Sequence, residues 1–343
     1  MNNGISVYSG LNCTLEDNLN LIETASSLGL KRIFTSTQIP EAESDFDDFA
    51  AILAAALENE FEIILDVNAD NFDTFDFEQI TLRLDDGFDL TQIAELSNIR
   101  RIMLNASTIN EEFLTTLNKI NANFDNISAL HNFYPHPYTG LDDYYFFNQN
   151  KIFHSFGISV GAFAASKDGL RRPPIGEGLP TLESTRNYPV DLAARYLAAL
   201  DADFIIMSDS MPTNEECASL SQVKSNEVII NIKLQTGDAA TIELIKNTFS
   251  SRPEVCSQVI RAANSRNLLI DSIEPDNNPC ARQFGDITVD NINFGRYMGE
   301  IQIVKTDLPS DSRVNVIAKV VDSDLPLIDF IRPDQNFSFK FIS

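Results

Sequence analysis

Over the first two-thirds of the chain, short apolar runs alternate with longer segments of helical period. This alternation predicts repeated strand–helix units. The first strand reads GISVYSG (residues 4–10). A helix is predicted from Thr14, which caps it, with Glu16 and Asp17 in its first turn and Gly29 as its stop. KRIFTST (31–37) and FEIILDVN (61–68) supply the second and third strands, with FDDFAAILAAALENE as the helix between them. A short helix is expected ahead of the fourth strand, ITLRLDDG (80–87). RRIMLNAS (100–107), ISALHNFYP (127–135), KIFHSFGISVGAF (151–163) and ADFIIMSDS (202–210) complete eight strands. Eight such units predict an α/β protein with a closed (β/α)8 TIM barrel. An open doubly wound sheet generally uses fewer strands, and no GxGxxG follows the first one.

After about Val223 the pattern changes to period two. EVIINIKLQ, LLIDSIEP, GDITVDNINFGRYMGEIQIVKTDLP, SRVNVIAKVV and FSFKFIS read as strands, interrupted by one clear helix over 239–250. A compact β-rich domain is therefore expected over 224–343, behind a barrel spanning 1–223. One segment breaks the barrel's rhythm: SKDGLRRPPIGEGLPTLESTRNY (166–188) is long for a connector, and loops of that length usually serve a function or lack order.

Length and charge narrow the role. A chain of 343 residues fits two cores. Lys and Arg number 25 against 50 Asp and Glu, a net charge of -25, which repels nucleic-acid backbones and anionic membranes. A small anionic ligand requires arginines gathered locally against that field. Cys13, Cys217, Cys256 and Cys280 are scattered without CxxC spacing and read as reduced thiols. The start MNNGISVYSG has neither the basic nor the apolar stretch of a signal peptide, and no apolar run reaches membrane-span length, so a cytoplasmic location is expected.

In such barrels chemistry sits at the C-terminal strand ends. There the sequence places Asp66 and Asn68 (third strand), Arg83, Asp85 and Asp86 (fourth) and Asn105 (fifth). The sixth supplies His131, Asn132 and Tyr134, and the eighth Asp209. The long seventh loop offers Arg171, Arg172, Glu177, Glu183 and Arg186. Blander readings stand beside these. Asp86 and Asp89 look like helix caps, Asp209 fits a cap for a helix starting near Thr213, and His131 fits a satisfied structural histidine. Metal-dependent hydrolysis fits poorly, because the three histidines (His131, His136, His154) lack ligand spacing. Schiff-base chemistry lacks a lysine in the sixth strand. Neither a metal nor another cofactor is expected. Paired carboxylates remain, the requirement of glycoside hydrolysis, with Phe133, Tyr134, Tyr138 and Phe163 available to stack on a sugar.

HNFYPHPYTGL (131–141), LRLDDGFD (82–89), GLPTLESTR (178–186) and RQFGDITVDNINFGRYMGEIQI (282–303) closely resemble a bacterial family that includes the 6-phospho-N-acetylmuramidases. The resemblance spans essentially the whole chain. It implies a (β/α)8 barrel followed by a C-terminal cyclophilin-like β-barrel. It also implies cleavage of the β-1,4 bond between 6-phospho-N-acetylmuramic acid and N-acetylglucosamine during cell-wall sugar recovery. Two positions depart from the family's usual pattern: His136 stands where Arg is usual, and Thr185 where His is usual. Such a substrate carries close to three negative charges, and Arg forks would have to hold it. Arg83, Arg171, Arg172 and Arg186 on the barrel and Arg282 and Arg296 on the second domain are the candidates. GDITVDNINFGRYMGE is expected to face the barrel mouth and close over the sugar, a plain inter-domain contact being the alternative. The catalytic carboxyls are sought among Asp66, Asp85 and Glu183. Partial burial is expected to raise Glu183 into a general acid, and Arg83 to keep Asp85 ionised as base or nucleophile. Arg83, Asn105, His131, Asn132, Tyr134, Arg186, Asp209, Arg282 and Arg296 form the expected substrate-binding set. A sugar-phosphate-binding or regulatory protein without turnover is the reading from another class.

Overall fold

Eight parallel strands close on themselves in the computed structural model, each hydrogen-bonded to the next and the last to the first. They are β1 (Gly4–Ser6), β2 (Arg32–Ser36), β3 (Glu62–Val67), β4 (Ile80–Leu84), β5 (Ile102–Asn105), β6 (Ile127–Leu130), β7 (Val160–Ala164) and β8 (Phe204–Met207). The structure describes residues 1–37, 39, 46–70, 72, 79–225, 227–269, 271–277 and 279–342. The chain divides into two units, Met1–Ser225 and Asn226–Ser343. Among the described residues of the first unit, seven helices lie between or after the strands. These are α1 (Leu15–Ser27), α2 (Phe46–Glu58), α3 (Leu90–Ile99), α4 (Glu111–Lys119), α5 (Asp143–Ser155), α6 (Val190–Ala199) and α7 (Asn214–Ser221). The short helix expected before β4 falls mainly on residues outside those described.

Local chemistry sets the helix starts. Thr14 and Asp17 form a reciprocal capping box on α1, and Gly29 follows its end in the left-handed region at φ +81°. Asp89 and Gln92 form a second box on α3, so Asp89 is a cap as read from the sequence and Asp86 is not. One strand reading needs correction. KIFHS (151–155) is the last part of α5, which buries Phe146, Gln149, Asn150 and Phe153 at helical spacing. The apolar run spans two elements: Ile152 and Phe153 belong to the helix, and the strand begins only after Gly157.

Tyr8, Phe34, Ile64, Met103, Leu130, Phe163, Phe204 and Ile206 form a buried cluster inside the barrel. Gly161 in β7 is required there, because a Cβ would stand 2.1 Å from the Phe204 ring. Phe34 meets Tyr8, Phe133 and Phe163 edge-on at 5.1–6.4 Å between ring centroids. These rings lie beneath the strand ends that carry the polar residues.

The second unit is a curled seven-stranded sheet built from β9 (Glu227–Leu234), β10 (Phe249–Ser250), β11 (Val259–Arg261), β12 (Asp286–Asp290), β13 (Ile301–Val304), β14 (Val314–Val320) and β15 (Asn336–Phe341). Its order is β10-β15-β9-β14-β12-β13-β11, antiparallel except for the β15–β9 pair. It also carries α8 (Ala239–Ile245) and the single turn α9 (Ser265–Leu268). LLIDSIEP (268–275), expected as a strand, joins no ladder among its described residues. Ile273 instead is buried and accepts the backbone N–H of Ile292. No helix among the described residues is long and apolar enough to cross a membrane. All four cysteines are free thiols.

Candidate active site at the barrel mouth

The register β2–β3–β4 aligns Ser36 with Asp66 and Asp66 with Arg83. Alternation puts Asp66 on the same side of β3 as Ile64, which belongs to the interior cluster. Arg83 Nη1 lies 2.6 Å from Asp66 Oδ1 and 3.7 Å from Asp85 Oδ1. Two carboxyl groups, one on β3 and one just past the end of β4, therefore flank one guanidinium nitrogen. Asp66 also accepts a 3.1 Å hydrogen bond from the Ser36 hydroxyl. Asp85 is the more open of the two, with 38% of its side chain exposed. Its carboxyl is raised above the ordinary aspartate range by burial and then by the Asp66 charge, more than Arg83 lowers it. Arg83 bonds closely to Asp66 and reaches Asp85 only at longer range, so it stabilises the Asp85 carboxylate less than its place two residues away suggests.

Arg83 Nη2 donates to Asn132 Oδ1. A chain of hydrogen bonds seats that amide. Asn150 Nδ2 donates to Leu200 O, and Asn150 Oδ1 lies 2.9 Å from His131 Nε2, which must then carry the proton. His131 Nδ1 accepts from Ser107 Oγ at 3.2 Å, and Ser107 Oγ accepts the Asn132 backbone N–H at 2.8 Å. His131 is fully buried, and burial pushes it down to about 4, so it is neutral at ordinary pH. Its structural reading holds, and its path to the mouth runs through Asn132. Asn105 Oδ1 is engaged by the Ser107 backbone N–H. Tyr134 is half-buried with its hydroxyl raised by burial.

Glu183 is the clearest correction. It sits in a one-turn 3-10 helix (Glu183–Thr185), 27% of its side chain exposed, 2.6 Å from Arg186 Nη2. Its oxygens accept the backbone N–H groups of Tyr138 and Gly140, both at 2.9 Å. The Arg186 hydrogen bond, helped by those two amides, pulls Glu183 down to about 2, the opposite of what a general acid needs. Arg186 itself is buried, donating to Glu183 and to the carbonyls of Gly178, Tyr134 and His136. The pair is a clamp that ties the 131–141 segment to the 178–186 segment. Tyr138 is held at φ +67°, and Gly140 is required because a Cβ would stand 2.7 Å from Glu183 N. Thr185 is buried and bonded to Leu182 O, whereas His136 is exposed.

Asp209 is fully buried and caps no helix; Thr213 caps α7. Asp209 instead accepts the backbone N–H groups of Ser166 (2.8 Å) and Arg172 (3.0 Å), anchoring the seventh loop. Glu216, which the sequence reading does not single out, holds the same loop by accepting the Ser166 hydroxyl and the backbone N–H groups of Lys167 and Asp168. Its only signal was its place three residues after Thr213, which also makes it the capping-box partner of α7. The anchored loop delivers Arg172, whose guanidinium carbon lies 5.1 Å from the Tyr8 ring centroid and 5.0 Å from that of Phe133. Its Nε is buried without a hydrogen-bond partner. In the second unit, Arg282 donates to Pro309 O and Arg296 lies over the Tyr297 ring.

The 6-phospho-N-acetylmuramidase N-terminal profile matches residues 3–222, and the C-terminal profile of the same family matches 205–340. The chain belongs to the 6-phospho-N-acetylmuramidase family. A crystal structure of an uncharacterized B. cereus protein is similar at 27% identity and TM-score 0.86, covering 98% of each chain. A conserved Enterococcus faecalis protein, described as from a locus with an unknown function, is 30% identical. The match covers 99% of this chain and 96% of that one at TM-score 0.66. No curated protein matches the chain. As a family member, the protein has its two profile regions meeting close to the boundary between the barrel and the second sheet.

Proposed function

We propose that the protein is a cytoplasmic glycosidase of cell-wall sugar recovery. Its substrate is 6-phospho-N-acetylmuramic acid β-1,4-linked to N-acetylglucosamine, and the second unit is a cyclophilin-like domain. The carboxyl pair is Asp66 and Asp85. The observation that carries this reading is their common placement beside Arg83 Nη1, with Asp85 raised and open to solvent. Asp85 donates the proton to the leaving oxygen. Asp66, accepting from Arg83 and Ser36, is the carboxylate that works as base or nucleophile. Arg172, perched between Tyr8 and Phe133, is the barrel's candidate for gripping the anionic sugar.

The decisive measurement is product release from the phosphorylated disaccharide and from its unphosphorylated counterpart. Turnover of the phosphorylated form, falling at least tenfold without the phosphate, is expected. Tight binding with no turnover would identify a sugar-phosphate-binding protein instead.

A further inference from the structure

The second unit carries an arrangement that the barrel chemistry does not use. Glu300, only 2% exposed at its side chain, is surrounded by three arginines. Arg261 Nε and Nη2 donate to it at 2.6 and 3.0 Å, Arg252 Nη2 lies at 3.6 Å, and Arg266 Nε at 3.8 Å. One carboxylate offsets one of these charges. Arg252 and Arg266 stand farther from Glu300 than Arg261 does, and Arg252 Nε is buried without a hydrogen-bond partner.

A small hollow of about 50 Å³ opens against this cluster, and all of its lining residues belong to the second unit. Arg252, Arg261, Lys305 and Arg332 line it, with a single acid, the exposed Glu254. Lys305 reaches Asp329 only at 3.7 Å. Four of the chain's 25 basic residues thus converge on one small hollow of a protein with 50 acidic ones. Arg252 and Lys305 meet their carboxylates only at 3.6 and 3.7 Å, which leaves room for an added anion between them, and planar guanidinium forks match the oxygens of phosphate best. We infer that this hollow is an anion site for a doubly charged oxyanion of the phosphomonoester class, built entirely by the second unit. The inference does not depend on the activity proposed for the barrel.

Inorganic phosphate is the probe. Calorimetric titration of the full-length protein at low ionic strength should show saturable binding. That binding should weaken at least tenfold in Lys305→Gln and in Arg252→Gln and persist in Arg172→Gln, which alters the barrel mouth. Lys305 lies at the rim, so Lys305→Gln should keep the wild-type thermal midpoint even if Arg252→Gln does not. Absence of saturable binding in the wild type overturns the inference. So does binding that survives both second-unit substitutions or disappears with Arg172→Gln alone.

Discussion

At the scale of single residues, the titrations of Glu183 and Asp85 run opposite to what the sequence suggests: Glu183 is held low and Asp85 is raised. A long loop promises Glu183 the partial burial that suits an acid. Its neighbour three residues on supplies a buried guanidinium that outweighs burial. Arg83 lies two residues from Asp85 in the sequence, yet it bonds at 2.6 Å to Asp66 across the strand pair and only at 3.7 Å to Asp85. Which carboxylate an arginine serves is a matter of register and rotamer, and neither can be read from spacing. If Asp85 is the proton donor, Asp85→Asn should reduce kcat by about 10²–10⁴-fold in a protein that stays folded. In the wild type, kcat/KM should fall as pH rises through the elevated Asp85 value, because the donor form is lost. That alkaline limb should disappear from the residual activity of Asp85→Asn. Full turnover by a folded Asp85→Asn would remove the residue from the mechanism.

At the scale of elements, the barrel was legible because each strand is a short apolar run and each helix announces itself chemically. Thr14 and Asp89 are caps that the sequence shows directly. Failures came where an apolar run was too short to reveal its period. KIFHS belongs to α5, Leu268 ends the single turn α9, and Ile273 is buried without joining a ladder. The distinctive motifs were legible as motifs but not as one object, since nothing in the sequence says that 131–141 and 178–186 interlock. The Glu183–Arg186 clamp does that work through four backbone groups of the first segment: Tyr134 O, His136 O, Tyr138 N and Gly140 N. Glu183→Gln leaves the buried Arg186 without its counter-charge and should cost about 3 kcal/mol of stability. Glu183 is held low, so its contribution is fully present above the ordinary glutamate range and is lost as pH falls toward 2. Chemical denaturation at neutral pH and near pH 3 measures both effects. The gap between wild type and Glu183→Gln should narrow in acid, and an equal gap at both pH values would refute the clamp's charge.

At the scale of the whole molecule, a charge of -25 leaves few cations to spare, and Arg83, Arg186 and Arg261 each sit closely against one acid, Asp66, Glu183 and Glu300. The second unit shows the cost of this arrangement. Asp290 on β12 is buried, with Oδ1 unpartnered, and is pushed up to about 7. Burial is the main cause; Glu300 and Asp311 add to it, while Arg282 and Arg261 oppose it. Below about pH 4 the folded and unfolded chains both carry this proton, and the stability linked to it is fully present. Between about 4 and 7 the folded chain keeps a proton that the unfolded chain releases, so stability declines as pH rises. Above about 7 the group is ionised in both states, and the loss, at most about 4 kcal/mol, is complete. Asp85 and Asp209 in the first unit are raised as well, so the wild-type pH profile alone does not isolate the effect. The comparison that does is Asp290→Asn against wild type by calorimetry at pH 5 and pH 8. The variant keeps a neutral group of the same shape and should lose less stability than wild type over that interval, chiefly in the transition of the second unit. Equal losses in the two proteins would mean that Asp290 titrates in the ordinary aspartate range.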